Sequence, residues 1–194
     1  MIMSTIHRVD HGPAQQVSFA SLSDGSRASI RLALPGDVDR QRAFFRALSP
    51  EARYRRFMTP LRELPDGLAE RFAHADRHRH LALLAEVHAD GGTTMIGEAR
   101  YIADAYELGT CTFAIAVADD RQRLGLGRAL LERLEREAAA AGLCRITGET
   151  LATSRAMIAL ATGMGYRVAY EGADPTLVRL EKRLVTPSAA PLAA

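Results

Sequence analysis

The chain has 194 residues, enough for one medium-sized domain whose hydrophobic core needs no disulfide or metal support. Its 25 basic and 23 acidic side chains leave a net charge of only +2, so nothing in the composition points to nucleic acid or a membrane as a partner. Two cysteines cannot form a disulfide framework, and the sequence shows no charged-then-apolar leader and no apolar run of membrane-spanning length. We therefore expect a cytoplasmic protein with both thiols reduced.

The two ends of the chain differ in composition from its middle. Residues 1–25 mix Ser, Gln, Gly, Pro and His without a period, which predicts a flexible N-terminal arm. Residues 26–184 show regular hydrophobic patterns without an internal repeat, which predicts a single folded domain. Residues 185–194 read VTPSAAPLAA and predict a flexible C-terminal tail.

The first part of the domain predicts one strand and then three helices. The segment Arg27–Leu34 alternates apolar and polar side chains and predicts a strand. The segment Asp37–Leu48 has its aromatic and aliphatic side chains at helical spacing. A second, short helix is expected to begin with Ser49 as its cap and Pro50 in its first position, and a third follows Pro65.

The second part predicts a meander followed by alternating strands and helices. The segments HLALLAEVHA and TTMIGEARYIA flank Gly91-Gly92, which indicates a hairpin. TCTFAIAVAD predicts a strand, a long helix follows, CRITGETL predicts another strand and SRAMIALATGMG another helix. YRVAYEG and TLVRLEKRL predict a closing hairpin. This order fits a mixed sheet with helices on both faces.

The stretch DDRQRLGLGRALLERL, Asp119–Leu134, joins a predicted strand to the long helix. Gly125 and Gly127 have no Cβ atoms, so an anion can approach the backbone closely and meet the unpaired amides of the first helical turn. The arginines around the two glycines are Arg121, Arg123 and Arg128. The pattern predicts a pyrophosphate site, and a plain turn with solvated arginines is the alternative. A dinucleotide fingerprint needs a third glycine, and a phosphate loop needs a lysine, but the sole lysine is Lys182.

The helix after this turn carries one apolar stripe. Its members recur every three or four residues: Leu126, Leu130, Leu134, Ala138 and Ala141. Glu132 and Arg136 are one turn apart and predict an ion pair on the exposed face, and Gly142 is placed to end the helix.

Three further groups of residues have a simple structural interpretation. His74, His78 and His80 lack the spacing and the acidic or cysteine partners of a metal site, so we predict no metal. Cys111 and Cys144 are predicted to be buried small side chains. A group of arginines predicts a solvated helix face, with binding of an acidic ligand as the alternative; its members are Arg53, Arg55, Arg56 and Arg62.

The segment Gln122–Gly127, QRLGLG, resembles the Gln/Arg-x-x-Gly-x-Gly/Ala signature of the GCN5-related N-acetyltransferase (GNAT) family, and the likeness extends over residues 27–184. SPEARYRRFMTPLREL, DRHRHLAL, GEARY and GETLATSRAM are similar to the acetyltransferase domain of bacterial protein-lysine acetyltransferases. The resemblance implies the GNAT fold, an α/β (α+β) fold. It has a mixed, mostly antiparallel central sheet of about six or seven strands with helices on both faces.

The resemblance also implies acetyl-CoA as co-substrate. Its pyrophosphate would rest on backbone amides from Gln122 through Ala129, and its pantetheine arm would pair with a strand edge, as a peptide does. Ser154 stands where the family has an asparagine beside the pantetheine. The residues expected to bind acetyl-CoA are therefore Ile115, Ala116, Val117, Gln122, Arg123, Leu124, Gly125, Leu126, Gly127, Arg128, Ala129 and Ser154.

Acetyl transfer to an amine by direct attack needs a base for the amine proton. The glutamate that the resemblance implies for this role falls at Thr112, whose hydroxyl cannot act as a base. Glu149 is the first remaining candidate, with a surface residue or an arginine partner as the alternative, and Glu98 is the second. Ser154 can donate a hydrogen bond, while Ala161, at the position of the family's tyrosine proton donor, cannot act.

The expected partners are acetyl-CoA and a primary amine, with a protein lysine as the first candidate acceptor and a small-molecule amine as the second. The missing glutamate and tyrosine motivate a competing hypothesis, a non-catalytic acyl-CoA-binding module. A second copy of the chain, in a homodimer, is kept as a candidate partner.

Overall fold

The structure is a computed structural model and describes residues 8–11, 15–73, 78–89, 91–170 and 174–185. These residues form nine strands: β1 (Arg8–His11), β2 (Gln15–Ser21), β3 (Arg27–Leu32), β4 (His80–Ala89), β5 (Gly92–Ala103), β6 (Thr110–Val117), β7 (Arg145–Leu151), β8 (Arg167–Ala169) and β9 (Leu177–Arg183). They also form five α-helices: α1 (Val38–Ala47), α2 (Pro50–Phe57), α3 (Asp66–Ala73), α4 (Leu126–Ala140) and α5 (Arg155–Gly163).

All nine strands belong to one sheet in the order β1-β2-β3-β4-β5-β6-β7-β9-β8. Only the β6–β7 pair is parallel, so the predicted mixed and mostly antiparallel sheet is confirmed. The sheet is larger than the six or seven strands expected. Segments 8–11 and 15–21, predicted as part of a flexible arm, form β1 and β2, because β2 pairs with β3 and buries Ala20. Of the tail predicted for residues 185–194, only residue 185 is among the described residues.

Helices cover both faces of the sheet, as the sequence predicts. On one face α4 and α5 pack on the larger core, in which Leu126, Leu130 and Leu134 are fully buried. On the other face α1 packs through Phe44 on Leu84 of β4, and α3 packs beside it. No helix among the described residues combines the length and the apolar character needed to cross a bilayer.

Local signals explain where the helices begin and end. The Ser49 hydroxyl caps α2 by accepting a hydrogen bond from the Ala52 amide at 3.1 Å, as predicted. Gly142, with φ of +82°, follows the end of α4, as predicted. The predicted Glu132–Arg136 ion pair is wrong. Glu132 lies 3.6 Å from Arg128, because that side chain approaches from the preceding turn of α4.

The strands β6 and β7 separate after three paired residues, the last of which are Thr112 and Thr147. Beyond this point β6 stays paired with β5, and β7 stays paired with β9. The ring of Phe113 occupies the space beside Gly148, where any Cβ atom would lie 2.5 Å from the ring. The edge of β6 from Phe113 to Val117 therefore has no partner strand on the β7 side.

Candidate active site

A cleft of about 380 Å³ opens where β6 and β7 separate, a size typical of small-molecule sites. One wall is the free edge of β6 with the turn that follows it, the second is β7 with the start of α5, and the third is α2. The polar residues that line the cleft are Arg55, Arg56, Gln122, Arg123, Arg128, Glu149, Thr150 and Ser154.

The turn Gln122–Gly127, called the glycine turn below, is held in a conformation that exposes backbone amides. Gly125 has φ of +94° and Arg123 has φ of +62°, so the chain makes two left-handed steps before α4. The Gln122 side chain donates a hydrogen bond to the Val117 carbonyl at 3.2 Å and ties the turn to β6. The first helical hydrogen bond runs from Ala129 to Gly125 at 3.1 Å, so the amides before Ala129 remain as donors at the end of the helix dipole.

Nine of the twelve residues predicted to bind acetyl-CoA line the cleft, and three do not. Leu126 is buried in the core. Leu124 packs against the core, and its carbonyl accepts a hydrogen bond from the Ser23 amide at 3.1 Å. Ala129 uses its amide in the helix. Leu124 and Leu126 can therefore contribute only their backbone amides, the Ala129 amide is already used in the helix, and the assignment of these residues to acetyl-CoA stays a prediction.

The glycines and arginines of the turn have distinct surroundings. A Cβ atom on Gly127 would lie 3.3 Å from Leu160 of α5, so this glycine serves helix packing. Arg121 forms ion pairs with Asp120, at 3.2 Å, and with Asp24. Arg128 donates a hydrogen bond to the carbonyl of Gly163 at 3.1 Å. Arg123 makes no ion pair within the described part of the chain and is the cation most available to a phosphate.

Among the described residues, Glu149 is the only acidic one that lines the cleft. Its side chain is exposed and makes no hydrogen bond or ion pair with any described residue. Ser154 precedes α5 and is buried, and its hydroxyl does not cap the helix. Thr112, at the position of the family's glutamate, lies with its hydroxyl 3.3 Å from that of Thr147. The structure therefore brings Glu149 and Ser154 to one cleft.

Glu98 lies elsewhere, which is a correction to its prediction as the second candidate base. Its carboxylate is buried under α2 and α3, where Arg100 lies at 2.6 Å and Arg56 at 3.1 Å. Burial alone raises the pKa of Glu98, but the two guanidinium groups outweigh it and hold the pKa below its ordinary value of 4.5. A doubly paired carboxylate with a lowered pKa is a poor proton acceptor, so Glu98 serves as the ion-pair partner of Arg56 and Arg100.

The arginines of α2 differ from the prediction of a solvated face. Ala52, Arg55 and Arg56 line the cleft, and we call them the α2 wall. The Arg56 side chain is only 9% exposed, so for this residue the prediction is wrong. Arg55 is exposed and pairs with Glu51 at 2.6 Å. The signal in the sequence was helical spacing, because positions 52 and 56 lie on the same face of a helix.

The remaining candidates have structural roles. Burial raises the pKa of the Cys111 thiol to about 12, so Cys111 is no nucleophile, as predicted. Cys144 is exposed, contrary to prediction, because it follows α4 in a surface turn. Tyr166 is buried beside Phe113. His74 lies outside the described residues, and within them no group of three His, Cys, Asp or Glu side chains is placed to hold a metal ion.

The cleft combines a free strand edge, a turn rich in backbone donors and a carboxylate. The Acetyltransferase (GNAT) family model matches residues 42–166, and the chain belongs to this family. It is 34% identical to Acetyltransferase PA5475 of Pseudomonas aeruginosa over 146 residues, which cover 75% of this chain and 78% of that protein.

Solved structures support the same assignment. The GNAT domain of S. lividans PAT is 28% identical with a TM-score of 0.78, over 87% of this chain and 97% of that chain. The structure of yncA from Salmonella typhimurium with its cofactor acetyl-CoA shares the fold at 18% identity with a TM-score of 0.62, over 86% of this chain and 99% of that chain. The chain is thus an N-acetyltransferase, and acetyl-CoA is the co-substrate of its family.

Proposed function

We propose that the chain transfers the acetyl group of acetyl-CoA to a primary amine by direct attack in a ternary complex, with Glu149 as the base. The observation that carries the proposal is that Glu149 is the only carboxylate among the residues that line the cleft. It stands on β7 beside the point where β6 and β7 separate, and no described residue occupies its oxygens.

Two features of the cleft fit acetyl-CoA. The amides of the glycine turn and the Arg123 side chain offer donors and charge to a pyrophosphate. The free edge of β6 at Ile115–Val117 offers backbone groups to the amides of a pantetheine arm. Acetyl-CoA supplies the acetyl group as a thioester, so the new carbon–nitrogen bond replaces the carbon–sulfur bond.

Two residues of the chain are assigned roles: one takes the proton of the amine and one orients the bound acetyl-CoA. Glu149 accepts the proton of the attacking amine, directly or through a water molecule, because only the neutral amine has a free electron pair. Ser154 donates a hydrogen bond within the cleft and orients the bound co-substrate. The sulfur that leaves takes up one proton and departs as the free thiol of CoA.

The first candidate acceptor is a protein lysine and the second is a small-molecule amine. The likeness to the GNAT domain of S. lividans PAT supports a GNAT acetyltransferase and leaves the acceptor to be determined. A non-catalytic acyl-CoA-binding module is the competing function, favoured by Thr112 and Ala161 at the positions of the family's glutamate and tyrosine. The cytoplasmic location and the homodimer stay predictions.

The Glu149→Gln variant tests this proposal. We expect turnover to fall by roughly a hundredfold or more while acetyl-CoA affinity is unchanged, because the amide cannot accept a proton. The loss should shrink as the pH rises, since more of the amine is then already neutral. Steady-state rates against pH, with an amine panel and calorimetry of acetyl-CoA binding, measure both quantities.

The exposed Glu63→Gln is the matched control, and it should behave as the wild type in both assays. An unchanged rate in Glu149→Gln would assign the proton to an ordered water molecule instead. Tight acetyl-CoA binding without turnover of any amine, at any pH, would establish the binding module.

A further inference from the structure

The walls of the cleft carry charges of opposite sign. The α2 wall contributes Arg56 and Arg55, the latter also paired with Glu51, and β7 contributes Glu149. An amine acceptor is cationic in water and gains from Glu149, but it gains nothing from two arginines. The α2 wall therefore fits a second, anionic group on the acceptor.

Arg56 is held firmly while part of its hydrogen-bonding capacity stays unused. One nitrogen donates to Glu98 at 3.1 Å, and the guanidinium group lies 4.6 Å from the centre of the Phe57 ring. Its Nε atom is buried and has no hydrogen-bond partner, and its Nη1 atom forms no hydrogen bond with any described residue. Because the Nε atom is buried, Nη1 is the donor of Arg56 that is left for a ligand in the cleft.

The charge around Arg56 is unbalanced among the described residues. Glu98 is shared between Arg56 and Arg100, with Arg100 the closer partner at 2.6 Å. Two guanidinium groups on one buried carboxylate leave an excess positive charge in a poorly solvated place, which is costly without a further anion. A carboxylate that enters the cleft and reaches Arg56 would supply that anion with charge-assisted hydrogen bonds.

We propose, on the basis of the acetyltransferase function proposed above, that the acceptor is a small amine that also carries a carboxylate. Arg56 and Arg55 bind the carboxylate, and Glu149 faces the amine across the cleft. This arrangement makes Arg56 a specificity-determining residue. It disfavours polyamines, which would place a second cation against the α2 wall.

A phosphate of CoA is the competing ligand for these arginines. Two features favour the acceptor. The glycine turn and Arg123 already provide for the pyrophosphate at the end of β6. Moreover, Arg56 packs over Glu98, which is paired with Ala116 in the sheet. Ala116 and Thr112 lie on the same face of β6, and Glu149 of β7 lies on that face too. Arg56 therefore stands on the same face of the sheet as Thr112 and Glu149.

The test compares amino carboxylates with their carboxamides, for example β-alanine with β-alaninamide, across a series of chain lengths. For the preferred length we expect KM to be about tenfold or more lower for the carboxylate, because a hydrogen-bonded ion pair is lost in the amide. In Arg56→Met the difference should fall to less than about twofold, and Arg56→Lys should restore part of it, since the charge returns without the planar fork.

A binding measurement separates this proposal from the proposed function. Calorimetry of the preferred amino carboxylate with CoA-loaded wild type and Arg56→Met should show binding to the wild type alone. Such binding without turnover would refute the transferase and keep the carboxylate site. Equal use and equal binding of carboxylate and carboxamide by the wild type would overturn the site, whether or not amines are acetylated.

Two further results decide the remaining cases. A loss of CoA affinity in Arg56→Met, matched by weak binding of 3′-dephospho-CoA to the wild type, would assign Arg56 to the phosphate and overturn the proposal. If Arg56→Met does not fold, two other measurements test the proposal: the exposed Arg55→Met variant and the preference of the wild type for the amino carboxylate over its carboxamide. Arg55→Met should raise KM for the carboxylate severalfold, and no change there together with no wild-type preference would also overturn the proposal.

Discussion

Gly125 and Gly127 lie two positions apart in the glycine turn and serve different purposes. Gly125 has φ of +94°, and a Cβ atom there would meet no neighbour within 4 Å. It is needed for the backbone conformation that points the amides of the turn into the cleft. Gly127 has ordinary dihedral angles, but a Cβ atom would lie 3.3 Å from Leu160. It is needed for the close approach of α5.

Replacement of the two glycines should therefore give different phenotypes. Gly125→Val puts a β-branched residue into a left-handed conformation at a cost of about 1–2 kcal/mol, which the turn relieves by changing shape. We expect acetyl-CoA affinity to fall at least about tenfold with a modest loss of stability. Gly127→Val should mainly lower the melting temperature, because its larger side chain displaces α5.

Calorimetry of acetyl-CoA and thermal unfolding measure the two effects. Gly125→Asn is the matched control, since asparagine tolerates the left-handed conformation and should retain more affinity than valine. Similar affinities for Gly125→Val and the wild type would show that the turn does not hold the pyrophosphate.

The sequence could predict which residues form this turn but not where each one points. The spacing of two glycines before a helical stripe predicted a pyrophosphate site here, and most of the residues predicted to bind acetyl-CoA line the cleft. The contact between Gly127 and Leu160 depends on how α5 packs, which local sequence does not determine. The ion pair of Arg121 with Asp24 depends on the hairpin of β2 and β3, which is far away in the chain.

At the scale of elements, α2 and the glycine turn are joined by one carboxylate. Asp119 accepts hydrogen bonds from the Ser49 amide at 2.9 Å and from the Ser49 hydroxyl at 2.7 Å. The same hydroxyl caps α2 through Ala52. The helix that carries Arg55 and Arg56 is thereby fixed to the segment that leads into the glycine turn.

We expect Asp119→Ala to loosen this junction. Loss of two hydrogen bonds at an exposed site should cost about 1–2 kcal/mol of stability. KM for the acceptor should rise severalfold, and acetyl-CoA affinity should change less, because the amides of the glycine turn stay in place while the α2 wall becomes mobile. Asp120→Ala is the control, since Asp120 pairs with Arg121 and does not contact α2. Equal kinetic effects of the two variants would refute the role of the junction.

Most elements could be predicted, because each carries its own pattern. The caps of α2, the hairpin of β4 and β5 and the strand–turn–helix around Gly125 all follow from local residues. The strand β2 was missed because its alternation is weak, and it is stabilised by pairing with β3 and by Arg27, which stacks on Phe19 at 4.0 Å. The position of β9 between β7 and β8 is set by tertiary packing and has no local signal.

The two faces of the sheet differ across the whole molecule. The face under α4 and α5 is an aliphatic core, whereas the face under α1, α2 and α3 holds buried ion pairs. Glu98 forms one cluster with Arg56 and Arg100. In a second cluster, Arg31 donates two hydrogen bonds to Asp37, at 2.7 and 2.8 Å, and two to Glu86, both at 2.8 Å. The face that carries the proposed acceptor site therefore depends on ionised groups for its stability.

This dependence predicts acid sensitivity. Burial raises the pKa of Asp37, but hydrogen bonds from Arg31 and the Leu34 amide outweigh it, so the pKa of the folded state lies below the ordinary value of 3.8. A carboxyl group with a lowered folded-state pKa contributes stability above its unfolded pKa and loses it as the pH falls through the folded value. Glu98 adds to the same effect, since its pKa is also lowered.

The Asp37→Asn variant tests this origin of acid sensitivity. Near neutral pH it should lower the free energy of unfolding by about 1–3 kcal/mol, because Arg31 keeps Glu86 but loses its other buried partner. The difference from the wild type should begin to shrink below about pH 4, where the carboxyl group of the unfolded chain takes up its proton, and it should continue to shrink as the pH falls through the lower folded-state pKa, where Asp37 itself is protonated and no longer balances Arg31. Urea denaturation across this pH range measures both curves. The exposed Asp39→Asn, in the first turn of α1, should follow the wild type throughout. A constant gap between Asp37→Asn and the wild type down to the lowest pH would show that Asp37 acts through shape and hydrogen bonding instead of charge.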